Sequence, residues 1–139
     1  MRSADDTYYD LYLYTMTHGG SEAFILQHVV DAFAAQTATR DSKPIKLVFA
    51  LVGLYLHVEH RFSGRHVQHV HMRLAEHKTQ WPIVSLPSDR GAMTVDDVMA
   101  AEAGPERDAA IDAWCQSVWE AFHESRETIA GLLRLHGII

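Results

Sequence analysis

The sequence is poor in cysteine and in clustered positive charge. Its single cysteine, Cys115, cannot form an internal disulfide, and it excludes a zinc site built from several thiolates. Lysine and arginine number 12 against 18 acidic residues, which gives a formal net charge of −6. Because nucleic acids and anionic membranes are bound through clustered basic residues, we expect neither as a partner.

A long apolar run is also missing. The longest stretch, residues 47–56, is about half as long as a membrane-spanning helix must be. Residues 1–6 contain no apolar signal region. Together with the solitary cysteine, these features favour a cytoplasmic protein.

Several catalytic motifs are absent as well. There is no glycine-rich phosphate loop, no G-x-S-x-G elbow, no His-x-x-x-His and no His-Glu-x-x-His. Cys115 follows Trp114 on an apolar helix face, where burial raises the pKa of a thiol. We therefore expect Cys115 to be a core residue and not a nucleophile.

What the sequence does have is the composition of one folded domain. Its 139 residues, 47% hydrophobic and 22% charged, can bury a single core, so residues 1–139 are treated as one domain. Apolar residues recur at helical spacing between Gly, Pro and Ser-Gly breakers. The pattern predicts an all-α fold, an antiparallel bundle of four to six helices with a long C-terminal helix.

The helix bounds follow from caps and breakers. The predicted helices cover residues 5–17, 22–38 with Ser21 as N-cap, 44–61, 64–78, 95–102 behind a Thr94–Asp97 capping box, and 105–136. The connection 79–93 is rich in turn residues and is the candidate lid or partner-contact loop.

Histidine is the residue in excess. There are ten, and six of them fall between His57 and His77. Imidazole ligates zinc, copper, iron and nickel, and it also titrates near neutral pH, so metal binding and acid–base chemistry are both open. Residues three apart share a helix face. Such pairs are His28 with Asp31, His57 with His60, His66 with His69, and Glu120 with His123.

Helical geometry separates these candidates. Glu120, His123 and His69 project away from the apolar seams of their helices and are predicted to be solvated. His71 flanks the seam of the fourth helix and stays a candidate.

His57 lies on a narrow stripe of small or polar residues along the otherwise apolar third helix. The stripe, as we name it below, consists of Lys46, Ala50, Gly53 and His57. One interpretation is a cavity over Ala50 and Gly53 with His57 at its rim. The other is close packing of a second helix, with His57 hydrogen-bonded locally.

His28 and Asp31 lie on the side of the second helix opposite its main seam. This side is either a solvated face or the surface that meets the stripe. In the second case Asp31 would ligate an ion beside His28 or orient an imidazole.

Three stretches resemble a bacterial domain-of-unknown-function family of small helical proteins. They are HVVDAFAAQ at 28–36, KPIKLVFALVGLYLHVE at 43–59 and GRHVQHVHMRLA at 64–75. The resemblance covers most of the chain and implies a fold unit without an established activity or cofactor. In size, helical content and histidine supply the chain is also similar to DinB-like metal-dependent bundles, but it lacks their paired His-x-x-x-His.

The resulting hypothesis is a helical bundle that binds one divalent metal ion, zinc or nickel by ligand type. Its ligands would be a subset of His28, Asp31, His57 and His71. An enzyme of this kind would be a metal-dependent hydrolase or transferase with an unknown substrate. The alternative is a metal-free interaction domain or small-ligand sensor, in which the stripe packs against a second copy in a homodimer.

Overall fold

The computed structural model describes residues 3–77 and 80–139. These ranges contain one 3₁₀ turn, His123–Ser125, and no strand. The all-α fold class is therefore confirmed. The helices are α1 (Ala4–Met16), α2 (Ile25–Gln36), α3 (Pro44–His60), α4 (Gly64–Ala75), α5 (Val95–Ala100), α6 (Pro105–Ala121) and α7 (Arg126–Leu135).

Helix α3 is the central element of the bundle. It packs against α2, α4, α6 and α7, and its residues 50–56 are all buried. A helix that is apolar nearly all round is stable only when neighbours cover every side, which is the case here. No helix in the described ranges combines the length and the apolar character needed to cross a membrane.

The start of α2 differs from the prediction. Ser21 is not its N-cap, because α2 begins at Ile25 after Phe24, whose φ of 41° is left-handed. The reason is tertiary. The preceding loop docks on the start of α4, where the backbone N–H of Gly64 donates to the Ala23 carbonyl at 2.8 Å. The helix also ends at Gln36, two residues earlier than predicted.

The C-terminal helical segment is long, as predicted, but it is divided. Helix α6 ends at Ala121, and the 3₁₀ turn His123–Ser125 separates it from α7. Both Phe122 and Ile129 are almost completely buried. Helix α7, beyond the turn, packs against α3.

The remaining boundaries are close to those predicted. The capping box of α5 is present, with Asp97 Oδ2 accepting from the Thr94 backbone N–H at 2.8 Å. Helix α4 ends at Ala75, and its predicted end at Lys78 lies outside the described residues. Residues 80–94 form no helix, and the Arg90 side chain ties them to the end of α2 by donating to the Ala35 carbonyl at 3.2 Å.

We predict that Gly64→Ala destabilises the fold. A Cβ on Gly64 would lie 1.9 Å from the Phe24 carbonyl oxygen, a backbone atom that cannot move aside without displacing the loop before α2. We expect a loss of roughly 1–3 kcal/mol in the free energy of unfolding, measured by urea denaturation.

The matched control is Gly131→Ala in α7, where a Cβ meets no atom within 4 Å. Alanine favours helix there, so this variant should gain roughly 0.5–1 kcal/mol. Equal stability of Gly64→Ala and the wild type would contradict the docked loop.

Candidate functional site

The stripe on α3 is covered by α2. A Cβ on Gly53 would lie 1.8 Å from Oδ2 of Asp31, so the carboxyl group occupies the space that glycine leaves. His28 and Asp31 are 5% and 3% exposed. The side of α2 that carries them therefore meets the stripe and is not a solvated face.

Asp31 belongs to a chain of hydrogen bonds that extends to α4. The Gln27 side-chain nitrogen donates to Asp31 Oδ1 at 3.1 Å and lies 3.5 Å from Nδ1 of His71. Nε2 of His71 is 2.7 Å from the Phe49 carbonyl oxygen. Because a carbonyl only accepts, His71 carries its hydrogen on Nε2, and its Nδ1 accepts from Gln27.

Burial favours the neutral form of both titratable groups in this hydrogen-bond chain. Burial raises the pKa of Asp31 well above its usual value, and the hydrogen bond from Gln27 opposes this only in part. Burial also lowers the pKa of His71, against the opposing effect of its bond to Phe49. The second carboxyl oxygen of Asp31, Oδ2, is enclosed and has no hydrogen-bond partner among the described residues.

A second cluster joins His28 to His57. Their rings stack with centroids 3.5 Å apart and planes inclined by 17°. Nε2 of His57 lies 2.9 Å from Oδ1 of Asp112, and its Nδ1 lies 3.3 Å from the Phe62 carbonyl oxygen. Both partner atoms accept hydrogen bonds, and each ring nitrogen of His57 can donate to its partner only while it carries a hydrogen.

The two imidazoles of this cluster differ in their surroundings. Burial, followed by the neighbouring His57, lowers the pKa of His28 to about 3, which leaves its ring neutral. Its Nδ1 is enclosed without a hydrogen-bond partner in the described ranges. The hydrogen bond from His57 lowers the pKa of Asp112, although burial opposes it.

This cluster opens on a cavity of about 310 Å³ between α2, α3 and α6. Arg61 and Asp108 complete the polar part of its wall. Arg61, with φ of 57°, is one of two non-glycine residues with left-handed backbone in the described chain. The other is Phe24, whose neighbours Ala23 and Ile25 line the same cavity. Such backbone is sparsely populated and is often found at functional sites.

The four predicted site residues thus form two pairs. His28 contacts His57, and Asp31 is linked to His71 through Gln27. No hydrogen bond or ring contact joins the two pairs within 3–77 and 80–139. Of the two interpretations of the stripe, close packing of a second helix describes Gly53, because Asp31 of α2 fills the position over it and His57 lies beside the Phe62 carbonyl. Cavities lie on either side, one lined by Ala50 and the other by His57.

Two residues of these clusters were missed. Gln27 is four residues before Asp31, a spacing at which an amide and a carboxyl group meet on a helix, so the sequence contained a signal. Asp112 follows no such rule, because only the packing of α6 on α3 brings it to His57.

In the described part of the chain, no three or more His, Cys, Asp or Glu side chains form a group that could hold a metal ion as they stand. The cluster of His28, His57 and Asp112 contains suitable ligand types. The rings of His28 and His57 are stacked on each other, however, and His57 is hydrogen-bonded to Asp112. Coordination would require these side chains to turn.

The other polar residues singled out by sequence occupy less informative positions. His69, Glu120 and His123 are exposed, as predicted. Cys115 is fully buried, and burial raises its pKa well above the usual value, as expected for a core thiol.

Comparison with known proteins identifies a family and nothing more specific. The family of unknown function DUF5946 matches residues 5–123. This agrees with the expected domain of unknown function. No curated protein and no solved structure matches the chain.

We predict that Asp31→Asn removes a pH-dependent penalty on folding. The pKa of Asp31 is raised above 3.8 in the folded protein. Its contribution to stability is therefore complete below the pKa of the unfolded chain, and it is lost as the pH rises toward the pKa of the folded protein. Between these two pKa values, the free energy of unfolding of the wild type should fall, relative to that of the variant, by up to about 1.4 kcal/mol per pH unit. Urea denaturation at a series of pH values measures this.

The control variant is Asp41→Asn, at an exposed position between α2 and α3. Its stability should run parallel to that of the wild type at every pH. A difference in the free energy of unfolding between the wild type and Asp31→Asn that does not change with pH would contradict a neutral carboxyl group at this position.

Proposed function

The chain belongs to the family of unknown function DUF5946, and we propose that it binds one divalent metal ion of the zinc or nickel class. The ligands in this proposal are His28, His57 and Asp112. The observation that supports it is the meeting of two imidazoles and a carboxylate at the mouth of one cavity. Imidazole nitrogen and carboxylate oxygen are ligands that these metals accept.

The protonation states favour His28 as a ligand. A metal ion binds imidazole only in its neutral form, and burial already lowers the pKa of His28 to about 3. His57, in contrast, faces Asp112 with Nε2 and the Phe62 carbonyl with Nδ1. It becomes a ligand through Nε2 by giving up the bond to Asp112, or through Nδ1 by leaving the Phe62 carbonyl.

Coordination also requires movement. With rings stacked 3.5 Å apart, the nitrogens of His28 and His57 do not point at one position, so at least one ring must rotate. The space for this rotation is the adjoining cavity of about 310 Å³. Asp31 and His71 are omitted from the ligand set because their hydrogen bonds join them to Gln27 and Phe49 instead.

If a metal ion is bound, the chemistry it supplies is Lewis-acid activation, so a hydrolase or transferase is the enzyme class we propose. We place the protein in the cytoplasm, on the grounds of its single cysteine.

A second candidate is recognition of a small polar molecule without a metal. The observation that favours it is that His57 and Asp112 already form a complete hydrogen-bonded pair beside an open cavity. A partner subunit packed on the stripe is not part of this candidate, because α2 covers Ala50 and Gly53 within the same chain.

We predict that zinc raises the melting temperature of protein purified without a nickel column, and that EDTA reverses the rise. Free metal at about 100 times its dissociation constant adds about 2.7 kcal/mol to stability. His28→Gln and His57→Gln should each lose this metal-induced rise, measured against the metal-free form of the same variant. His123→Gln, at an exposed position, should keep it.

Elemental analysis provides the stoichiometry, with close to one equivalent expected for the wild type. Less than roughly a tenth of an equivalent after zinc loading, with no change in melting temperature, would contradict the metal proposal and favour the second candidate.

A further inference from the structure

A separate cavity of about 360 Å³ lies between α2, α3 and α4. Its wall is mostly apolar and includes Phe49 and Ala50, while Gln27, Asp31, His71 and, at the solvent side, the exposed Lys46 supply its polar groups. The volume is at the lower end of the range for small-molecule sites, which suits one ring with a short chain. The cavity is distinct from the one beside His57, with which it shares no lining residue.

The hydrogen-bond chain determines what this cavity presents to a ligand. The Phe49 carbonyl holds the His71 hydrogen on Nε2, so Nδ1 of His71 is an acceptor. Asp31 Oδ1 is also an acceptor, and the Gln27 amide nitrogen lies within reach of both. Both hydrogens of that nitrogen are then directed at Asp31 and His71. The side-chain amide oxygen of Gln27 is left as an acceptor with no partner among the described residues.

Asp31 lies at the inner end of this cavity. Its side chain is 3% exposed and lines the cavity, while its Oδ2 lies against Gly53 and has no hydrogen-bond partner in the described chain. Leaving a buried polar atom unpaired costs stability, so natural proteins rarely retain one without a structural or functional reason.

We propose that this cavity binds a small, mainly apolar molecule with one hydrogen-bond-donating head, an alcohol or a primary amine. The head donates a hydrogen bond to the side-chain amide oxygen of Gln27, beside Asp31. The apolar part contacts Phe49 and Ala50. An anionic head would face the acceptor atoms of Gln27, Asp31 and His71, and could pair only with Lys46, which lines the cavity at its exposed side.

The test uses four probes that share one aromatic ring: 2-phenylethanol, 2-phenylethylamine, ethylbenzene and 3-phenylpropionate. Binding to the full chain is followed by ¹H–¹⁵N NMR titration, with attention to the amides of Phe49, Ala50 and His71. We expect the alcohol or the amine to bind roughly tenfold more tightly than ethylbenzene, the ratio that one good hydrogen bond provides. Comparing alcohol with amine shows whether the head is neutral or charged.

Two variants test the polar contact with the head and the apolar wall of the cavity separately. Gln27→Met keeps the size of the side chain and removes the acceptor together with the N–H groups that face Asp31 Oδ1 and His71 Nδ1. The alcohol and the amine should therefore shift a different set of amides in this variant than in the wild type, while ethylbenzene shifts the same set in both. Ala50→Leu fills the cavity and should abolish binding of all four probes. Gln116→Met, on the exposed face of α6, is the control and should leave every affinity unchanged.

Three results would overturn the proposal. They are no shift of the cavity amides with any probe, equal binding of ethylbenzene and the alcohol and amine, and tightest binding of 3-phenylpropionate. The proposal does not depend on the metal site, because none of these measurements involves His57 or Asp112.

Discussion

The close approach of α2 to α3 at Gly53 is the constraint on which both clusters depend. Any side chain larger than hydrogen at this position would collide with the Asp31 carboxyl group. With glycine there, α2 can lie with its polar side against the most apolar helix of the bundle. His28, one turn before Asp31, then reaches His57, and Gln27 is placed between Asp31 and His71.

Burial of this polar side has an electrostatic consequence. A charge removed from water is costly unless it is paired, and groups in such positions become neutral instead. Burial raises the pKa of Asp31 well above its usual value and lowers the pKa of His28 and of His71, so it favours the neutral form of each. The hydrogen-bonded pair of His57 and Asp112 lies nearer the surface. The stripe thus separates a cavity beside Asp31 and His71 from one beside His57 and Asp112.

Much of the fold could be predicted because helices are encoded locally. The spacing of apolar residues, Pro44, Pro105 and the Thr94 capping box located most helix starts to within a residue. The start of α2 and the break after Ala121 could not be predicted, because both depend on contacts with distant segments. Docking of residues 21–24 on α4 outweighs the capping preference of Ser21, and the segment beyond the break, α7, packs on α3.

For the site, helical spacing selected His28, Asp31, His57 and His71, and all four lie in or beside the two cavities. Their division into two pairs could not be deduced from one sequence, because it depends on which residues of α4 and α6 approach α3. Asp112 is the clearest example, since no local pattern distinguishes it from other exposed acids on α6. The metal hypothesis and the ligand hypothesis therefore concern different cavities.

The most direct test of this account is the tautomer of His71, read from its side-chain ¹⁵N shifts by NMR and assigned with a His71→Gln variant. We expect a neutral ring at pH 7 with hydrogen on Nε2, as the bond to the Phe49 carbonyl requires. Hydrogen on Nδ1, or a charged ring, would reverse the Gln27 amide and contradict the acceptor-lined cavity beside Asp31.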